Sequence, residues 1–229
     1  MTTLTSAHRG DSSEFRENTL PAIRSAIEKG ADFVEIDVRL TADGDVVALH
    51  DPTLRRLWGI DASIDTVPTA DLLAIGDADH RPPLLSEVVP LFAAASSVLL
   101  IDMDDVAFAA PALDVARRFD VPVAWCGHIA AMRLLRALDP SAQVWLPWSA
   151  LRPPTPAELA DLRPSTVNAP FAAVTSRLAD AVHEAGYTVT AWTIDDPELM
   201  ERAVQIGVDA ITTNRLSLLQ GVLRTEAAR

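Results

Sequence analysis

A (β/α)8 barrel is the fold this sequence predicts, and three observations predict it. Short apolar, β-rich runs alternate with amphipathic helical stretches almost from end to end. Strand then helix, repeated about eight times, implies a parallel sheet covered by helices. The chain has 229 residues, 49% of them hydrophobic, which is enough to bury a full core, and at that length a closed barrel is the economical solution. No solenoid-period repeat or low-complexity tail marks a second domain, so residues 1–229 are expected to form one barrel domain.

The elements follow in order. A strand is read near 3–7, then a helix near 19–29 with Asn18 or Thr19 as its cap, Pro21 in its first turn and Gly30 as its stop. Strands near 33–38 and 46–49 come next. Residues 51–82 break the rhythm; rich in Asp, Pro and Thr with little periodicity, they read as a loop excursion over the barrel mouth. Strands are then expected near 98–103, 121–125, 142–146, 166–168, 187–192 and 209–212. Helices alternate with them near 86–96, 106–118, 129–138, 156–161, 175–185, 196–206 and 215–226. Asp195-Asp196-Pro197 opens the 196–206 helix and Gly207 closes it.

Composition excludes whole classes of partner. A formal charge of −13 and a pI near 4.7 lack the basic footprint that nucleic acid or an anionic membrane requires. An anionic substrate is also repelled at long range, so its site needs local positive charge. Cys126 stands alone, which rules out a disulfide framework and fits a reducing compartment. The opening Met1 to Ala7 lacks the basic start and long apolar run of a signal peptide. The longest apolar stretch, Val88 to Ile101, is interrupted by Pro90, Ser96 and Ser97 and is too short to span a bilayer. A soluble cytoplasmic protein acting on a small molecule is the simplest reading; assembly as a homo-oligomer is left open.

The chemistry is concentrated in three short groups at strand ends: His8-Arg9-Gly10, Glu35-Ile36-Asp37 and His50-Asp51-Pro52. Residues i and i+2 of a strand share a face, so Glu35 and Asp37 project side by side. Two such carboxylates facing inward are costly to bury unless a cation or proton compensates them. Their oxygens suit a hard cation, Mg²⁺ or Ca²⁺. His8 and His50 supply groups that titrate near neutrality, and the Arg9 guanidinium matches two phosphate oxygens. Together these are the parts for metal-assisted cleavage of a phosphate ester. In a barrel they gather at the C-terminal rim, where Asp102, Trp192 and, more weakly, Asn168 and Asn214 are also placed.

Each residue also has a plainer reading. Glu35 and Asp37 could pair with Arg39 or Arg24 on a solvated edge, Arg9 with Glu14 or Glu17, and the two histidines and Trp192 could be packing elements. Glu17 could orient Arg9 or His8, or could favour the start of the first helix through its dipole. His80, His128 and His183 read as bland.

The same residues carry a resemblance. His8-Arg9-Gly10, Glu17-Asn18-Thr19, Gly30-Ala31-Asp32 through Glu35-Ile36-Asp37-Val38, Thr41 to Gly44 and His50-Asp51-Pro52-Thr53-Leu54 resemble the glycerophosphodiester phosphodiesterase signature in order and spacing. Pro83 to Val88, Ala191 to Asp195 and Gly207 to Asn214 are similar to its later segments. The resemblance implies metal-dependent hydrolysis of glycerophosphodiesters to glycerol 3-phosphate and an alcohol, with His8 and His50 as the acid/base pair. It implies a third metal-binding carboxylate from the next barrel strand, where Asp102 stands in place of the family's usual Glu. It also implies a phosphate-contacting lysine two positions on, where this chain has Asp104. That departure keeps two rivals in view: a related phosphodiesterase acting on other phosphodiesters or lysophospholipids, and a diverged barrel that binds phosphorylated ligands without turning them over.

Overall fold

The computed structural model describes residues 3–227. The extreme ends of the 1–229 unit, including Met1 and Thr2 of the opening segment, lie outside the described residues. The strands are β1 (Leu4–Ala7), β2 (Phe33–Leu40), β3 (Val46–Ala48), β4 (Val98–Met103), β5 (Val123–Gly127), β6 (Gln143–Pro147), β7 (Thr166–Pro170), β8 (Thr188–Trp192) and β9 (Ala210–Thr213). All but β3 pair in parallel in the order β1-β9-β8-β7-β6-β5-β4-β2, and β1 pairs with β2 to close the ring. This is the expected (β/α)8 barrel.

The helices are α1 (Leu20–Glu28), α2 (Arg55–Trp58), α3 (Thr69–Leu73), α4 (Leu85–Val88), α5 (Ala109–Ala116), α6 (Ile129–Leu138), α7 (Pro156–Leu162), α8 (Ser176–Glu184), α9 (Pro197–Ile206) and α10 (Leu216–Ala227). Asp196 caps α9 by accepting from the Glu198 and Leu199 amides, and Gly207 ends it in the left-handed region. Thr19 holds the cap position of α1, but neither expected side chain caps it: Thr19 Oγ1 donates to the Arg16 carbonyl and Asn18 turns to Asp37. The helix expected over 86–96 is shorter. α4 tightens into a 3-10 turn, Val89–Phe92, because Pro90 offers no amide to continue it. Among the described residues, no helix is long and apolar enough to cross a membrane.

Strand alternation sorts the core. Val34 and Ile36 of β2 and Leu99 and Ile101 of β4 face outward into the layer shared with Ile23, Phe92 and Met132. Phe33, Leu100, Ala124, Cys126 and Trp145 fill the interior, with the Phe33 and Trp145 rings edge to face at 5.0 Å. This apolar floor leaves the inward positions nearer the C-terminal rim to polar side chains.

Two local features differ from the expected alternation. β3 is no barrel strand: it runs antiparallel to the end of β2, pairing Ala48 with Val38 and Val46 with Leu40. β2 therefore extends past the rim, and β3 carries the chain back to it, so that the Leu49 amide bonds to the Asp37 carbonyl. Residues 51–82 are more ordered than their composition suggested. They hold α2 and α3 around a small apolar cluster of Val47, Leu49, Leu54, Ile64 and Leu72, whose irregular spacing hides it from periodicity.

Candidate active site

The β2–β4 register aligns Asp37 with Asp102 and Glu35 with Leu100. Glu35, Asp37 and Asp102 therefore share the barrel interior and line one cavity of about 200 Å³ with His8, Arg9 and His50. Gly127 makes room for this packing, since a Cβ there would collide with the Met103 backbone and with Asp102 Oδ1. Glu35 Oε2 accepts the Arg9 amide at 2.8 Å, Asp37 Oδ2 accepts Asn18 Nδ2 at 2.8 Å, and Asp102 Oδ2 faces the Cys126 thiol at 3.2 Å.

The electrostatics are those of crowded carboxylates. Burial and the nearby charges of Asp37 and Asp102 push the Glu35 pKa well above the ordinary range. Burial, then Asp37, raises Asp102 to about 6. Burial and the same carboxylates push the Cys126 thiol up, so it stays protonated and donates to Asp102. Among the described residues no group of three His, Cys, Asp or Glu is already arranged to hold an ion directly. The donor chemistry nevertheless fits a hard divalent cation: oxygen ligands that repel one another until a positive charge joins them.

His8 and His50 flank these carboxylates. The Asn214 amide nitrogens donate to Asp195, which turns Asn214 Oδ1 toward His8 Nδ1 at 2.7 Å. Nδ1 of His8 must then carry the proton, leaving Nε2 with a free lone pair. Burial lowers the His8 pKa, an effect the Asn214 bond only partly offsets. His50 is more exposed, and its Nδ1 lies 2.8 Å from Asp51 Oδ1. Arg9 sits at φ 60°, in the left-handed region that non-glycine residues enter at functional turns. Its Nη1 donates to Glu17 at 2.8 Å, and its buried Nε lies 3.2 Å from Asp37 Oδ2 without a hydrogen bond.

Of the plainer pairings, that of Arg9 with Glu17 is present. Arg39 and Arg24 pair with Asp104 and Asp79, not with Glu35 or Asp37. Trp192 is 43% exposed on the rim, so it is not a core residue. Glu17 lies outside the first turn of α1, which has no acidic residue, and binds Arg9 and Arg56 instead. His80 pairs with Asp77 at the surface and His183 with Asp209, while His128 caps α6. Asn18, Asp51, Arg56 and Asp195 were missed. Asp51, Asn18 and Asp195 gave a signal, as members of motif groups credited to their neighbours; Arg56 gave none.

Asp104 does not point inward beside Asp102. It is exposed, and its Oδ2 lies 2.6 Å from Arg39 Nη2, while Arg39 Nε donates to the His50 carbonyl. The negative charge at this position is therefore neutralised at the rim. Asp104→Lys is expected to leave turnover and metal requirement within about twofold of the parent, since exposed pairs contribute about 0–1 kcal/mol. Steady-state kinetics across a metal titration check this; a lost metal response would instead make Asp104 a ligand.

The comparisons with known proteins agree on the family and the fold. The model of the glycerophosphoryl diester phosphodiesterase family matches residues 8–218, from the first catalytic candidate to the last helix. The chain belongs to that family. As a member it is a phosphodiester hydrolase. It is 29% identical over 250 residues to a glycerophosphodiester phosphodiesterase of Caldanaerobacter subterraneus subsp. tengcongensis, covering 98% of this chain and 99% of the relative. The solved structure of an Oleispira antarctica phosphodiesterase in complex with the product sn-glycerol-3-phosphate is similar, with a TM-score of 0.87, 25% identity and 97% of each chain covered. A glycerophosphodiester phosphodiesterase from Parabacteroides distasonis shares the fold, with a TM-score of 0.84 at 23% identity, covering 99% of this chain and 98% of that one.

Proposed function

We propose that this enzyme hydrolyses glycerophosphodiesters to glycerol 3-phosphate and an alcohol with the help of a divalent cation, Mg²⁺ or Ca²⁺. The observation that carries this reading is the single cavity in which three carboxylates, two imidazoles and one guanidinium meet. Glu35, Asp37 and Asp102 would hold the cation. When bound, it would supply charge neutralisation at the phosphoryl oxygens and a lower pKa for an attacking hydroxyl or water.

The side chains divide the remaining work. Arg9, held between Glu17 and Asp37, binds phosphate oxygen through its guanidinium. His8, neutral and with Nε2 unprotonated, takes the proton from the nucleophile. His50, held through Nδ1 by Asp51, delivers a proton to the leaving alkoxide. Trp192 walls the neighbouring groove of about 490 Å³, which shares Asp102 and Asn168 with the cavity and has room for the departing alcohol. A lone cysteine supports a cytoplasmic setting, and the contacts of Arg56 with Glu17 support the reading of 51–82 as an excursion at the barrel mouth.

The test is a panel of glycerophosphodiesters assayed with EDTA and then with Mg²⁺, Ca²⁺ or Mn²⁺ restored. Activity should vanish in EDTA and return with one of these ions. Cation affinity should fall as pH drops through about 6, where Asp102 takes up a proton that competes with the ion. Full activity in EDTA would end the metal-assisted reading.

A further inference from the structure

Arg56 belongs to none of the sequence motifs at the strand ends, yet it joins the two halves of the site. It lies on α2, within the excursion, and its guanidinium reaches two carboxylates from different loops. Nη2 and Nη1 donate to Glu17 Oε1 and Oε2 at 2.6 and 3.0 Å. Nε and Nη2 donate to Asp51 Oδ2 and Oδ1 at 2.6 and 2.9 Å. Each carboxylate then contacts a residue of the proposed chemistry: Glu17 Oε1 accepts from Arg9 Nη1 at 2.8 Å, and Asp51 Oδ1 meets His50 Nδ1 at 2.8 Å.

We propose that Arg56 is a positioning residue that sets both the phosphate clamp and the proton donor, by sharing Glu17 with Arg9 and Asp51 with His50. This rests on the roles given to Arg9 and His50 above. The physical argument starts from Glu17. Arg9 already faces Asp37 at 3.2 Å; a second arginine on Glu17 lessens the further negative charge set against the guanidinium that must meet phosphate. Asp51 is the converse case. It must stay ionised and fixed to hold the Nδ1 edge of the His50 imidazole, and a two-point guanidinium contact does this where a point charge would not. The Arg56 hydrogen bonds hold Asp51 at a pKa of about 2, and, against the larger opposing effect of burial, Arg56 and Arg9 together bring Glu17 below its ordinary range. The short helix is itself held in place: Trp58 Nε1 donates to the His80 carbonyl at 2.9 Å, and Arg16 lies over the Trp58 ring at 5.5 Å. The excursion thus has a task at the site as well as a small core of its own.

The experiment compares the parent with Arg56→Ala and Arg56→Lys, reading kcat, KM and thermal melting with a glycerophosphodiester substrate. Arg56→Ala should raise KM and lower kcat, each by about tenfold, since it disturbs both binding and proton delivery. Guanidinium ion added to the alanine variant should restore part of both. Arg56→Lys should remain impaired, because an ammonium cannot bridge two carboxylates in the same plane. Adding Glu17→Gln to Arg56→Ala should recover KM, by releasing Arg9, while kcat stays low because Asp51 is still unheld. Parameters within about twofold of the parent would overturn the proposal. So would losses that track a fall in melting temperature and do not respond to guanidinium, which mark a structural role only. A parent without phosphodiesterase activity, or a fully active His50→Ala variant, would overturn the functional reading along with it, and both are seen before Arg56 is changed.

Discussion

His8→Ala and His50→Ala each lower turnover by about 10²–10⁴-fold, the contribution expected of a positioned general base or acid. Both enzymes stay folded, because neither imidazole fills the core: each lines the cavity and is tethered by one hydrogen bond to a polar partner. The two variants should differ in their pH–rate profiles. Burial lowers the His8 pKa below 6.5, so its base form persists into mildly acidic solution and the acid limb of kcat/KM lies below 6.5. That limb should disappear in His8→Ala and survive in His50→Ala. Stopped assays from pH 5 to 9, with melting curves for each variant, check the assignment. Loss of the folded state in both would return the histidines to a packing role, and full activity in either would remove that residue from the chemistry.

What the sequence disclosed of this site depended on how local the signal was. Glu35 and Asp37 sit two apart on one strand, and the period of a strand is enough to put them on one face. Asp102 is sixty-odd residues away, and the resemblance, which implies a carboxylate from the next barrel strand, pointed to it; the register puts it beside Asp37. The barrel itself was legible because each strand–helix unit carries its own signal, and α6 has the expected bounds. The excursion was not legible, because α2 has four residues and α3 five, too few for a helical period to show. β3 was recognised as a strand but not as a hairpin partner, since apolar runs do not state their direction. Asp195 and Arg56 act through other side chains. Residues of that kind are visible only once the backbone brings distant loops together: Asp195 reaches His8 through Asn214, and Arg56 reaches Arg9 through Glu17.

Glu35→Gln should make the metal-free protein more stable and the enzyme close to inactive. Glu35 is 4% exposed, and its pKa is raised first by burial and then by Asp37 and Asp102. A carboxyl raised in the folded state is one whose proton favours folding. That contribution is complete below the unfolded-state pKa and is lost as pH rises through the folded one. Above that range the ionised Glu35 costs stability, and glutamine, which resembles the protonated form in size and can still accept the Arg9 amide, does not. The gain over the parent should therefore be absent in acid and grow toward neutral pH. A gain of about 1 kcal/mol would raise Tm by roughly 2–4 °C in a protein of this size. Added Mg²⁺ or Ca²⁺ should raise the melting temperature of the parent, by the mass action of a ligand that binds only the folded state, and should do so far less in the variant. Turnover should fall by about 10³-fold or more, equivalent to about 4 kcal/mol of lost transition-state stabilisation. Calorimetric melting with EDTA and with each cation, from pH 4 to 8, separates the two effects without any assay of activity. A variant that is less stable than the parent at neutral pH, or that keeps the full cation-induced rise, would mean that Glu35 holds the barrel together and takes no part in binding the ion.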